Sequence, residues 1–202
     1  MSSKPYDGAS NASLPHAGFA GQVFMIFRLS SKLATKIKVT APKSLPLDAN
    51  PFADWSGHLF TATRTQYVIV TNTASLYSAV MHGRGIVNDG QLLDRATSCL
   101  REVMADDGLE FLYLQFIAPA SATVRFSKAL NRSVMGSMND LVSHAKMWLT
   151  EGDLPPHDTS FHLNEIPMSV LGYHNPREAM KGLTDAGGPC LPDAENAQSS
   201  PR

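Results

Sequence analysis

Apolar positions along the chain change period several times, and each change marks a predicted element. Gln22 to Leu29 (QVFMIFRL) is apolar and rich in β-formers, and predicts a first strand. Ser30 and Ser31 supply N-caps for a short helix over 32–39, with Leu33, Ile37 and Ala34 facing inward. Pro42, Pro46 and Pro51 make 40–54 a loop. Residues 55–63 and 66–72 alternate and predict a β-hairpin turning near Arg64-Thr65. Tyr67 to Val70 (YVIV) predicts a central strand. Ser75 to Met81 fits strand and helix equally, and Gly83-Arg84-Gly85 closes it.

From Asn88 the period becomes helical. Asn88 or Asp89 caps a helix over 90–105 whose stripe is Leu92, Leu93, Ala96, Leu100, Val103 and Met104, with Gly108 as its stop. Residues 109–117 fit helix and strand alike. Thr123 to Lys128 alternates and predicts a strand with Val124 and Phe126 buried, Arg125 and Ser127 exposed. Ser137 to Thr150 carries a second helical stripe, Met138, Leu141, Val142, Ala145 and Leu149, ended by Gly152 and Pro155-Pro156. Pro176 opens a last short helix to Leu183. The early hairpin and the lack of a regular βαβ array predict a single α+β domain over 22–183 with a mixed or antiparallel sheet. Residues 1–21 and 184–202, rich in Gly, Ser, Pro and Ala, are expected to be disordered extensions, and Met25 is a candidate alternative start.

Composition narrows the classes. With 43% apolar and 17% charged residues, the 202-residue chain can bury a core. Its 17 basic and 18 acidic side chains give no global field for extended duplex nucleic acid. The N-terminus lacks the apolar core of a secretory signal, and no apolar run is long enough to span a bilayer. Cys99 and Cys190 read as free thiols, and a cytoplasmic location is expected.

Candidate chemistry concentrates in Asn131-Arg132-Ser133-Val134-Met135-Gly136-Ser137-Met138-Asn139-Asp140, read as a polar loop feeding a helix start. Free amides at a helix N-terminus attract anions, Arg132 adds a forked donor, and Asn131, Ser133, Ser137 and Asn139 add polar groups. Gly136 would allow close backbone approach. No lysine follows Gly136, so this is not a P-loop. The plainer reading is that Arg132 pairs with Asp140 while Ser137 caps the helix. Asp140 and His144, one turn apart, are candidate acid–base groups. No metal site is expected, since no diagnostic third ligand accompanies them, and no cofactor fingerprint is present: Gly83 and Gly85 form only a lone G-x-G. Trp55 reads as core before it reads as a base-stacking platform.

Three stretches resemble a family of small bacterial domains without an established function. They are Met25-Ile26-Phe27-Arg28 with Lys32-Leu33 and Lys36, the N-R-S-V-x-G-S-M-N-D block at 131–140, and Leu163-Asn164-x-x-Pro167-Met168 with Leu171-Gly172-Tyr173 and Pro176. The resemblance covers about residues 25–183 and implies a single domain starting near Met25, with no activity attached. The first expectation is therefore a binding or regulatory module that takes a small anionic or nucleotide ligand around Arg132. The alternatives are a phosphate-directed hydrolase or nuclease using Asp140 and His144, and a protein-interaction partner from an operon-encoded pair.

Overall fold

The first strand, β1 (Met25–Leu29), lies between two parallel neighbours. On one side is β2 (Asp54–Ala62), on the other the late strand β5 (Val124–Lys128). β2 continues as an antiparallel meander with β3 (Thr65–Asn72) and β4 (Ser78–His82), giving one open mixed sheet in the order β4-β3-β2-β1-β5. This is the expected α+β domain. The computed structural model describes residues 24–40, 43–130 and 132–184, with side chains omitted at 132 and 133. The predicted extensions and the first two residues of the predicted opening strand lie outside the described residues, apart from Thr184.

Alternation along the strands separates two faces, and a core sits on each. One joins Met25, Phe27, Leu29, Trp55, Leu59, Val68 and Val70 to α1 (Ser31–Ile37) and α2 (Asp89–Asp106). The opposite face puts Phe60, Ala62, Ile69 and Val80 under α5 (Arg132–Thr150), joined by Leu163 of α6 (Pro156–Asn164). Trp55 is fully buried, with its indole N–H donating to the Phe52 carbonyl at 2.8 Å, so the stacking-platform alternative is excluded.

Local sequence explains most of these elements. Ser30 caps α1 and Asn88 caps α2, each accepting a backbone N–H three residues on. Gly108, at φ +72°, closes α2 while the Leu109 amide reaches back to the Met104 carbonyl at 2.6 Å. The hairpin turn uses Thr63 and Arg64, both at positive φ, a two-residue reversal that matches strand twist. The 75–81 ambiguity resolves as β4. Residues 109–117 are helical: α3 (Glu110–Leu112) passes into a wider turn over Tyr113–Ile117 and then α4 (Ala118–Ser121). Pro119, which has no amide to give residue 115, follows that widening.

Tyr67 to Val70 lies in β3, an interior strand between β4 and β2, as expected. Three readings need correction. α5 starts at Arg132, five residues before the expected Ser137. Ser127 is fully buried where exposure was expected, because its hydroxyl has polar partners on the inner face. Pro155-Pro156 ends one helix and also opens another, since proline fits a first turn. That helix guards the sheet edge: Asn164 Oδ1 and Ser160 Oγ accept the outward amides of Ser78 and Val80 at 2.8 and 2.9 Å. The last helix, α7 (Pro176–Gly182), begins with an Asn175–Glu178 capping box.

Candidate functional site

Residues 132–136 are helix where a loop was expected, and 137–140 continue the helix as expected. Asn131 lies outside the described residues, and Arg132 and Ser133 open α5. Gly136 and Ser137 fall inside the helix, so Ser137 does not act as its N-cap. Ser137 is half-buried; Asn139 and Asp140 are exposed. His144, half-buried, packs against Trp148 with ring centroids 5.9 Å apart, and Trp148 packs against His162 at 5.1 Å. Asp140 and His144 lie one turn apart on the same side of α5. No group of three potential metal ligands occurs among the described residues.

Topology gives the start of α5 its interest. β1 and β5 are adjacent and parallel, yet the helices that follow them pack on opposite faces, α1 with Phe27 and α5 with Phe60. In open α/β sheets, the place beyond the carboxyl ends of neighbouring strands where such a reversal occurs is where ligands commonly bind. Ser30 and residues 129–130 leave the sheet there, and Ser31 and Arg132 open the helices that follow.

His58 stands nearby on β2, one residue past Gly57, whose carbonyl receives the Ser30 amide at 3.0 Å. It is half-buried, and its Nδ1 is sealed from solvent without a hydrogen-bond partner. Burial, reinforced by the positive charges of Lys32 and Lys146, holds its proton affinity below the ordinary histidine value. The neutral ring is therefore favoured.

A second feature went unread in the sequence. One register row across the sheet is polar and buried on every strand: Ser127, Arg28, Ser56, Thr71 and Ser78. Arg28 grips Asp54 through two bonds, Nε to Oδ1 at 2.7 Å and Nη2 to Oδ2 at 2.6 Å. Its remaining donors reach the Leu45 and Pro46 carbonyls at 2.8 and 2.9 Å. Thr73 Oγ1 donates to Asp54 Oδ1 at 2.7 Å, and Thr71 and Ser78 hydroxyls meet at 2.9 Å. Buried charge is tolerated when its donors and acceptors find partners, as here.

Residues 26–179 match the family described as a domain of unknown function, DUF6933. The chain belongs to this family. No curated protein matches it. Among matching solved structures is a chain of "CryoEM structure of simian T-cell lymphotropic virus intasome in complex with PP2A regulatory subunit B56 gamma", at 13% identity and TM-score 0.42. The match covers 80% of this chain and 65% of that one, less than two thirds of its length, and a likeness this distant carries no argument.

The DUF6933 match contains both β1–β5 carboxyl ends, His58 and the whole polar row. A signal for the row was available: Arg28 is the lone charge within an apolar strand, and Asp54 follows a proline-rich loop at a strand entrance. What the sequence could not give was their register. Among the described residues, no helix is long and apolar enough to cross a membrane.

Proposed function

We propose that this DUF6933 chain is a binding or regulatory module that takes a phosphate-bearing ligand beyond the carboxyl ends of β1 and β5. The observation carrying this reading is the packing on opposite faces of the helices that follow those two strands, with Arg132 and Ser133 opening the second of them. Two further features support it. The first turn of α5 holds no acidic side chain to neutralise the positive end of its dipole. Lys32 and Lys146 lie near enough to His58 to affect its charge, and no carboxylate pairs with them among the described residues. Arg132 is the side chain proposed to clamp the phosphate, with Asn131, Ser133, Ser137 and Asn139 as accessory donors.

Titration with inorganic phosphate and then a nucleotide panel, followed by amide NMR, tests this. Saturable shifts should localise to residues 30–32, 58 and 131–134. Arg132→Ala should weaken binding by about tenfold or more, the size of one lost charge-assisted bond, with the melting temperature nearly unchanged. Shifts spread evenly over the surface, or unfolding by Arg132→Ala, would remove the reading.

Nothing in the geometry favours the hydrolase alternative over binding: Asp140 is exposed and His144 packs on Trp148. An exposed apolar patch beside the first hairpin would favour the interaction alternative. Among the described residues, the large exposed apolar side chains are Leu47, Val87, Phe111, Leu114, Met147 and Tyr173, none of them on β2 or β3.

A further inference from the structure

At the other end of β1, on the face that carries Arg28, the sheet holds a groove of about 830 Å3. Ile26 and Arg125, register partners on β1 and β5, form its floor. Residues 45–52 make one wall; Phe116 and Leu183 also line it. That size falls within the range of small-molecule sites, roughly 300–1,000 Å3.

The wall is fixed in place. Arg28 holds the Leu45 and Pro46 carbonyls, the Ser127 hydroxyl accepts the Leu45 amide at 2.9 Å, and Asp54 Oδ2 accepts the Asp48 amide at 3.2 Å. The buried polar row thus acts as the frame of a preformed apolar groove. A preformed site spares the ligand the cost of ordering the wall.

Among the described residues that line it, two are ionisable. Asp48 already receives the Asn50 amide on Oδ1 at 2.8 Å. Arg125 has no carboxylate partner among the described residues, and its guanidinium lies over the Phe24 ring, 3.9 Å from the centroid. Stacked in this way, a guanidinium keeps its N–H edge free for a planar anion.

We propose that this groove binds a small amphiphilic monocarboxylate, its apolar body against Phe24, Ile26, Leu47 and Phe116 and its carboxylate on Arg125. The site is separate from the proposed phosphate position, which lies past the opposite end of β1, and neither reading depends on the other.

Octanoate, octanol and octylamine, titrated calorimetrically into the full chain below their aggregation limits, test it. Octanoate should bind at one saturable site, more tightly than octanol, and octylamine should not bind. Arg125→Gln should weaken octanoate by about tenfold and leave octanol unchanged. Leu47→Glu should abolish both; Leu47 and Arg125 are both exposed, so neither change disturbs the core. Sedimentation velocity on the same samples reads the competing occupant. Absence of saturable octanoate binding, equal affinity in wild type and Arg125→Gln, or a wild-type dimer that Leu47→Glu dissolves would each overturn the proposal.

Discussion

Arg28 and Asp54 meet two register positions apart on adjacent parallel strands, joined by two bonds of 2.7 and 2.6 Å with both side chains sealed from solvent. Removing one member strands the other charge in the interior. Asp54→Ala should cost about 3–5 kcal/mol in chemical denaturation. It should also loosen residues 45–48, since Asp54 and Arg28 hold that wall. The paired change Arg28→Met with Asp54→Leu should cost clearly less than the two single changes summed. Strict additivity would mean that the pair does not act as a unit.

Tyr77 supplies the corresponding bond in the opposite core. Its hydroxyl donates to Asp107 Oδ2 at 2.6 Å, and Arg177 approaches the other carboxylate oxygen at 3.4 Å, tying α7 to the end of α2. Burial, then the Asp107 contact, pushes the phenol far above its ordinary range, so it remains a neutral donor. Tyr77→Phe should destabilise by about 1–3 kcal/mol, because Asp107 stays buried without that donor. A loss below the error of the melt would show that Arg177 alone satisfies the carboxylate.

Periodicity made the helices and the hairpin legible. The stripes from Leu92 to Met104 and from Met138 to Leu149 form the buried faces of α2 and α5. Local pattern failed where long-range partners decide. Ser127 looked exposed because a hydroxyl on an alternating strand usually is; Arg28 and the Leu45 amide, 99 and 82 residues away, bury it. Residues 132–136 looked like a loop because Ser and Gly disfavour helices, yet burial of Val134 and Met138 stabilises their helical form. The adjacency of β1 and β5, on which the proposed site rests, joins residues about a hundred positions apart and leaves no local trace.

His58 makes stability depend on pH in a calculable direction. Its folded-state proton affinity is lowered, first by burial and then by Lys32 from α1 and Lys146 from α5. Between the folded value and the ordinary value near 6.5, the unfolded chain binds more protons. The His58 contribution is therefore complete above pH ~6.5 and is lost as pH falls through the lower folded value. Imidazole NMR should place the His58 midpoint below the ordinary value of 6.5. His58→Gln should flatten the acid side of the stability profile. A midpoint at or above the ordinary value would contradict the environment described.

Cys99 should be chemically quiet. Burial, with a smaller contribution from Glu102, pushes its thiol up to about 12, and its sulfur lies 3.5 Å from the Val80 carbonyl. Thiolate is the reactive form, so iodoacetamide at neutral pH should leave the Cys99 peptide unmodified in the native protein and label it in urea. Peptide mapping by mass spectrometry separates it from Cys190. Rapid native labelling of Cys99 would mean that α2 opens readily from β4.

Two glycines make opposite predictions for one substitution. At Gly57, a Cβ would stand 2.7 Å from Phe27 Cε1 and 2.8 Å from Leu33 Cδ2, both fully buried. Gly57→Ala should therefore cost about 1–3 kcal/mol through overpacking, and less in a Phe27→Leu background that vacates the space. At Gly136, inside α5, nothing lies within 4 Å of the added carbon. Gly136→Ala should instead stabilise by about 0.5–1 kcal/mol, since alanine loses less backbone freedom in a helix. The same variant probes the start of α5 from a second direction. If phosphate needs the bare backbone of Gly136, the more stable variant will bind it more weakly; if Arg132 and the first-turn amides suffice, affinity will be unchanged while the melting temperature rises.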